Sequence, residues 1–287
     1  IETEIREGRG FGEGMGSYVL MDLRHLGAER IMERLPQVRE LALSFEGVDM
    51  VTDPVPIRPS NHYMMGGIDV VDFRTCATAV NGLHAAGECS CISVHGANRL
   101  GGNSVSEVVF FGRQAGIGAA DTARRRELPA ADRLDELSRQ WAERFDAMRG
   151  KKDGESVFAI RDRMAEAMWN GVGIFRDEAG MAAAEAVVDE CIAAYADASI
   201  GDPSKIYNQA FMNYVELGNI LQIAKTVCMG ARARKESRGS HSREDFPQRD
   251  DERFLAHTLV SLAKDGSYSI DYRPVSVTKF PPEKRTY

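Results

Sequence analysis

The sequence predicts an α+β chain: a mixed α/β stretch, then a helical bundle, then a small C-terminal β-containing segment. Three observations carry this. Residues beyond Pro129 fall into four stretches of helical periodicity separated by Gly-, Pro- and charge-rich breaks. The earlier residues alternate short apolar runs with Gly- and Pro-rich turns. Residues 267–280 alternate in the two-residue period of strands.

Taken in order, the first stretch holds the glycine-rich run Gly8–Gly16 and then the apolar run Tyr18–Met21. The glycines precede the apolar run and no helix opens after them, so a hairpin or exposed loop is expected rather than a dinucleotide-binding turn. Ile31, Leu35, Val38, Leu41, Ala42 and Phe45 lie at helical spacing over Ala28–Phe45, with a kink or break expected at Pro36. Pro54, Pro56 and Pro59 mark an extended linker. Tyr63–Gly87 reads as β-rich with turns, ending in a short buried strand Gly82–Gly87 before Glu88. A glycine-rich polar loop, Ser93–Gly102, then leads into a helix over Ser104–Ala120. Ser104 and Glu107 are spaced as a capping box, and Val105, Val108, Val109 and Phe111 form an apolar face.

The four later helices are expected over Asp132–Arg149, Ser156–Asn170, Asp177–Ala198 and Ser204–Arg234, with their Met and aromatic residues as core. Phe211, Val215, Ile220, Ile223 and Val227 spread along the last. Residues 232–253 mix both charge signs densely; a solvated face laced with weak ion pairs would explain them, but the density suggests a docking surface for a partner subunit or domain. Two strands, Ser267–Tyr272 and Val275–Phe280, follow.

The 287 residues, 43% hydrophobic and 28% charged, are ordinary for globular protein, and a net charge of −7 argues against nucleic acid as partner. No apolar run approaches the ~20 residues of a membrane span. The N-terminus has neither the basic start nor the apolar core of a signal peptide, and the missing initiator Met points to a fragment or a processed piece. The five cysteines show no C-x-x-C pair, so reduced thiols in a cytosolic compartment are expected and a metal site is not.

One loop stands out for chemistry: Glu88 to Ser104, between an expected strand end and a helix start. Ligands of α/β sheets bind beyond the strand ends, and a helix N-terminus there favours an anion. Arg99 would add a full charge and a planar fork suited to a carboxylate. A capped helix with a surface arginine explains the same residues, and both readings stay open. Glu88 could accept from the sugar hydroxyls of a cofactor, or be a solvated turn carboxylate. His62, beside a glycine turn, needs a partner to be functional, and His95 is expected to be hydrogen-bonded within its loop.

The residues Asn61–Gly67 (NHYMMGG), His95–Ser104 (HGANRLGGNS), Ala233–His241 (ARKESRGSH), Phe280–Arg285 (FPPEKR) and Asp22–Gly27 (DLRHLG) resemble the fumarate reductase and succinate dehydrogenase flavoprotein family, in the family's order. The resemblance implies hydride transfer between FAD and a dicarboxylate, fumarate or succinate. It implies that His62 and Arg99 grip the substrate carboxylates, that Glu88 contacts FAD, and that the backbone at Ser104 and Val105 touches the flavin ring. It implies four pieces: the end of a capping domain (1–58), part of an FAD-binding domain (59–126), a helical domain (127–235) and a mixed C-terminal segment (236–287). An iron–sulfur subunit and a membrane anchor are the implied partners, with the chain peripheral on the cytoplasmic face of the inner membrane. The family's proton-donor arginine lies upstream of the position matching Ile1, so no catalytic residue is assigned here and the isolated chain is expected to be inactive. Two alternatives accompany this reading: an L-aspartate oxidase-like flavoenzyme, and a non-catalytic subunit-interaction module.

Overall fold

The computed structural model describes residues 1–151 and 153–283. The chain forms two compact units, Ile1–Tyr63 and Met64 onward.

In the first unit, helix α1 (Glu2–Arg6) precedes the glycine-rich run, which turns back so that Phe11 and Tyr18 bridge and stack their rings. Strand β1 (Val19–Met21) then pairs antiparallel with β2 (Val55–Ile57), setting Leu20 opposite Pro56. The expected linker is thus partly a strand, and a two-stranded edge tolerates the proline's missing N–H. The helical pattern breaks at the proline: α2 is Ala28–Arg34, and α3 (Pro36–Leu41) opens with Pro36 in its first turn and runs into a π-helical turn, Ala42–Glu46. The break leaves only part of the apolar stripe facing inward. Ile31, Ala42, Met50 and Val55 are buried together, whereas Val38, Leu41 and Phe45 are exposed.

The second unit begins with a small sheet of order β4-β3-β5. Strand β3 (Ile68–Asp72) pairs antiparallel with β4 (Ala77–Thr78) and parallel with β5 (Ser90–Cys91). Gly82–Gly87, expected as a strand, is a turn with one isolated bridge, His84 to Ala77; the chain must reverse at Gly82, whose φ is +87°. Helix α4 (Asn103–Arg125) packs Phe111 and Ala115 on Val70, Cys76, Ala85 and Ile92. Of the apolar face expected on α4, Phe111 packs inward, while Val105, Val108 and Val109 are exposed and the buried positions are Glu107 and Gly118.

Helix α5 (Ala131–Arg149) leads into the bundle of α6 (Val157–Val172), α7 (Glu178–Tyr195) and α8 (Gln209–Ala233). Ser156 and Asp177 cap α6 and α7 by accepting from the N–H of Phe158 and Gly180. Helix α8 starts later than its pattern suggests, because Asn208 caps it through the Phe211 N–H while its amide holds the Asp202 and Ser204 carbonyls in a loop. The core is Val157, Ile160 and Met164 from α6, Met181, Ala184, Val188 and Cys191 from α7, and Tyr214, Leu217, Leu221, Ala224 and Cys228 from α8. Each large apolar side chain removed from water there contributes about 1.5–3 kcal/mol. Of the residues expected along α8, Phe211 and Val227 pack against this core, whereas Ile220 and Ile223 face solvent.

The charged region after α8 differs most from expectation. Glu236 and Arg243 are fully buried. Burial raises the Glu236 pKa, but hydrogen bonds from Arg238, the Asp250 N–H and Arg234 outweigh it and hold the carboxyl below its ordinary value. Arg243 forks onto Asp245 and donates to the carbonyls of Ala231 and Arg232, so it satisfies the open C-terminus of α8. Much of the charge expected to face a partner is spent within the fold.

After the short α9 (Asp251–Phe254), β6 (Ala256–Leu262) and β7 (Tyr268–Pro274) form a hairpin. The second expected strand, Val275–Phe280, is not formed. The partner of β7 lies upstream instead, across a turn in which Asp265 accepts from Ser267 and Gly266 takes φ +85°.

Candidate functional site

The loop from Ile92 to Gly102 lies between β5 and α4 without regular structure. It begins in the small core at Ile92, then twists sharply at Ser93 (φ +69°) and Gly96 (φ +59°). Three contacts hold it. The Ser93 hydroxyl meets His257 Nε2 at 2.9 Å, with His257 Nδ1 4.0 Å from the Cys91 thiol. His95 Nε2 meets the buried carboxylate of Glu107 at 2.8 Å. The Ala97 carbonyl accepts from both the N–H (3.0 Å) and the hydroxyl (2.9 Å) of Ser240. A bidentate ion pair, Arg273 to Asp69 at 2.6 and 2.7 Å, ties β7 to β3 in the same region. Burial, with the Arg273 charge second, lowers the His257 pKa and keeps the imidazole neutral. Burial and the nearby Asp69 raise the Cys91 thiol pKa.

Arg99 is half-buried in this loop, with one Nη donating to the Leu100 carbonyl at 3.0 Å. Ser104 and Val105 lie in the first turn of α4. That helix opens at Gly102 in the left-handed region (φ +82°) and has no side-chain cap. The expected capping box is not formed, because the helix starts a residue earlier and Glu107 turns to His95 instead. The Asn103 and Val105 N–H groups close onto the Leu100 and Gly102 carbonyls. Beside this helix start, Gly101 and Gly102 border open space. A 23-residue helix presents partial positive charge there, and Arg99 lies four residues before it in the chain.

Glu88 sits exposed in the turn before β5, and its Oε1 accepts the Met64 N–H at 3.0 Å. Gly67 makes this turn possible: a Cβ there would lie 2.4 Å from the Cys89 carbonyl oxygen. His62 is exposed in coil at the end of the first unit, while Glu88, Arg99, Ser104 and Val105 belong to the second.

Sequence reasoning missed the partners that hold the loop. Ser240 lies 143 residues from Ala97 and His257 lies 164 from Ser93, so no local spacing signals them. Glu107 carried a signal, its spacing from Ser104, that pointed to the wrong partner.

Two families match the chain: residues 1–105 match the FAD binding domain, and residues 161–287 match the fumarate reductase flavoprotein C-terminal domain. The 8-methylmenaquinol:fumarate reductase flavoprotein subunit of Wolinella succinogenes is 46% identical over all of this chain and 47% of its own length. The succinate dehydrogenase flavoprotein subunit of Rickettsia conorii is 38% identical over all of this chain and 50% of its own. Among solved structures, an E. coli quinol fumarate reductase superposes with a TM-score of 0.90 at 38% identity, over 99% of this chain and 48% of that one. The chain spans about half the length of the curated relatives it matches.

Proposed function

We propose that this chain belongs to the fumarate reductase and succinate dehydrogenase flavoprotein family and supplies half of an FAD-dependent subunit interconverting fumarate and succinate. The observation that carries the proposal is the loop: a half-buried guanidinium held just ahead of an uncapped helix N-terminus bordered by open space. A dicarboxylate needs both a cationic fork and oriented N–H groups.

In this reading Arg99 binds one substrate carboxylate and His62 the other. A guanidinium and an imidazole gripping a dianion fix its orientation, and the guanidinium stabilises charge that develops on it. The exposed Glu88 carboxylate suits the ribose hydroxyls of FAD, and the glycine-bordered start of α4 suits the flavin ring at Ser104 and Val105. FAD, when bound, would carry the redox chemistry, its reduced form giving a hydride to fumarate and its oxidised form taking one from succinate. A helix N-terminus beside the ring favours the reduced, anionic form. Residues 1–58 form the end of a capping domain, 59–126 part of the FAD-binding domain, 127–235 the helical domain and 236–287 a mixed C-terminal segment.

The superposition on a quinol fumarate reductase supports an iron–sulfur subunit and a membrane anchor as partners. No helix among the described residues is long and apolar enough to cross a membrane. Peripheral attachment to the cytoplasmic face, through those partners, fits this.

In the flavoprotein carrying this chain, Arg99→Lys keeps the charge but loses the fork. It is expected to lower kcat/KM for fumarate by about 10²–10³-fold with flavin content unchanged. Wild-type kinetics in that variant, or faster turnover of L-aspartate than of succinate by the wild type, would refute the assignment.

A further inference from the structure

The backbone of the loop that carries Arg99 is held from outside by the turn Arg238–His241, in which Arg238 and His241 exchange N–H to carbonyl bonds. At the tip of that turn Gly239 takes φ +60°, and a Cβ built there would lie 2.5 Å from the Ala97 oxygen and 2.6 Å from its carbonyl carbon. The next residue, Ser240, places two donors on the same oxygen. Behind the turn, Arg238 is pinned by the buried Glu236 and by Asp251. The turn is therefore rigid, and it touches the loop two residues before Arg99.

We propose that Ser240 is a positioning residue for Arg99, and that Gly239 is a glycine so that Ser240 can reach the loop. This rests on the reading of Arg99 as a substrate-carboxylate ligand. A carbonyl anchored by two donors fixes the peptide plane at Ala97 and so limits the path of Asn98 and Arg99. Ser93 and Gly96 already hold the left-handed backbone upstream, leaving the loop few other conformations. A displacement of about 1 Å in a binding group costs up to about 10²-fold in rate. The added Cβ at Gly239 demands a shift of that order against backbone atoms.

The test uses the assembled flavoprotein. Gly239→Ala is expected to raise KM for fumarate by about tenfold or more, with flavin content unchanged, and to speed tryptic cleavage after Arg99. Ser240→Ala, which adds no atom and deletes one donor, is expected to give a smaller shift in the same direction, and Ser240→Thr, which keeps the hydroxyl, to restore wild-type KM. Val188→Ala in the helical core is the control for general destabilisation: it lowers Tm and leaves KM alone. If Gly239→Ala and Ser240→Ala move KM no more than Val188→Ala does, the positioning role is wrong while the reading of Arg99 stands. If Arg99→Lys itself leaves KM and kcat unchanged, that reading fails and the positioning role fails with it. Should Gly239→Ala not fold, Ser240→Ala against Ser240→Thr decides.

Discussion

The helical bundle of residues 157–233 and the α/β piece of residues 64–125 are built on opposite terms. The bundle buries a continuous core contributed by all three helices. Gly171 lets α6 approach α7 so closely that a Cβ there would lie 2.3 Å from the Gly180 oxygen. Among the described residues, the apolar core of the α/β piece is Val70, Cys76, Ala85 and Ile92, under a sheet whose outer strands are two residues long, and Val105, Val109 and Phe110 of α4 are exposed. Yet four of the five candidate site residues, Glu88, Arg99, Ser104 and Val105, sit on the second. The larger core lies in the bundle, and the thinly supported piece carries most of the candidate site.

That contrast can be broken most directly in the bundle. Leu217→Ala should cost about 2–5 kcal/mol in urea denaturation of the 287-residue chain, whereas Val70→Ala should cost clearly less. Equal losses would mean that both regions share one cooperative core. Acid sharpens the contrast next. His241 accepts at Nδ1 from Arg176 at 3.0 Å, while its Nε2 donates to the Arg234 carbonyl at 3.1 Å. Burial, with the charges of Arg176, Arg234 and Arg243, lowers its pKa to about 4, although the Arg234 carbonyl opposes the shift. The neutral form is the native one. Its contribution is complete above the ordinary histidine pKa near 6.5, and it is lost as pH falls from there through about 4. The loss should be on the order of 2 kcal/mol, read as the difference in acid response between wild type and His241→Gln. Identical acid profiles would remove His241 from the account. The smallest effect belongs to the exposed face of α4, where Val109→Ser should shift stability of the chain by no more than about 0.5 kcal/mol. A larger loss would show that the chain covers this face itself.

The sequence was most informative where structure is local. The break at Pro36 and the helix starts beside Ser156 and Asp177 follow from residue type and position, and they appear as expected. Where outcomes depend on distant partners, local patterns misled. Ser104 and Glu107 have the spacing of a capping box, but a histidine nine residues before Ser104 takes the carboxylate. Residues 232–253 read as a solvated or docking surface because charge density normally means exposure. Arg243 and Glu236 are buried because each finds matched partners, which composition cannot show. Alternation over 275–280 imitates a strand, while the true hairpin reverses at Asp265 and Gly266, a turn that sequence reasoning passed over. Within the candidate site, Arg99 and Glu88 could be picked out from the sequence, but the residues that hold them could not.

The ion pair between Asp69 and Arg273 spans 204 residues of chain, and it closes the region that the site loop depends on. At about 5–20 residues per second, the ribosome needs about 10–40 s to deliver the second partner after the first. The bundle can fold during that interval from its own contiguous residues. The loop bearing Arg99 cannot be clamped until the hairpin and its preceding turn have been made, so the site matures last. For about 2–8 s after the last residue of the bundle is made, each nascent chain carries a finished scaffold and an open, basic loop. Translation speed over the codons between residues 233 and 274 therefore sets how long that loop stays exposed to proteases and chaperones.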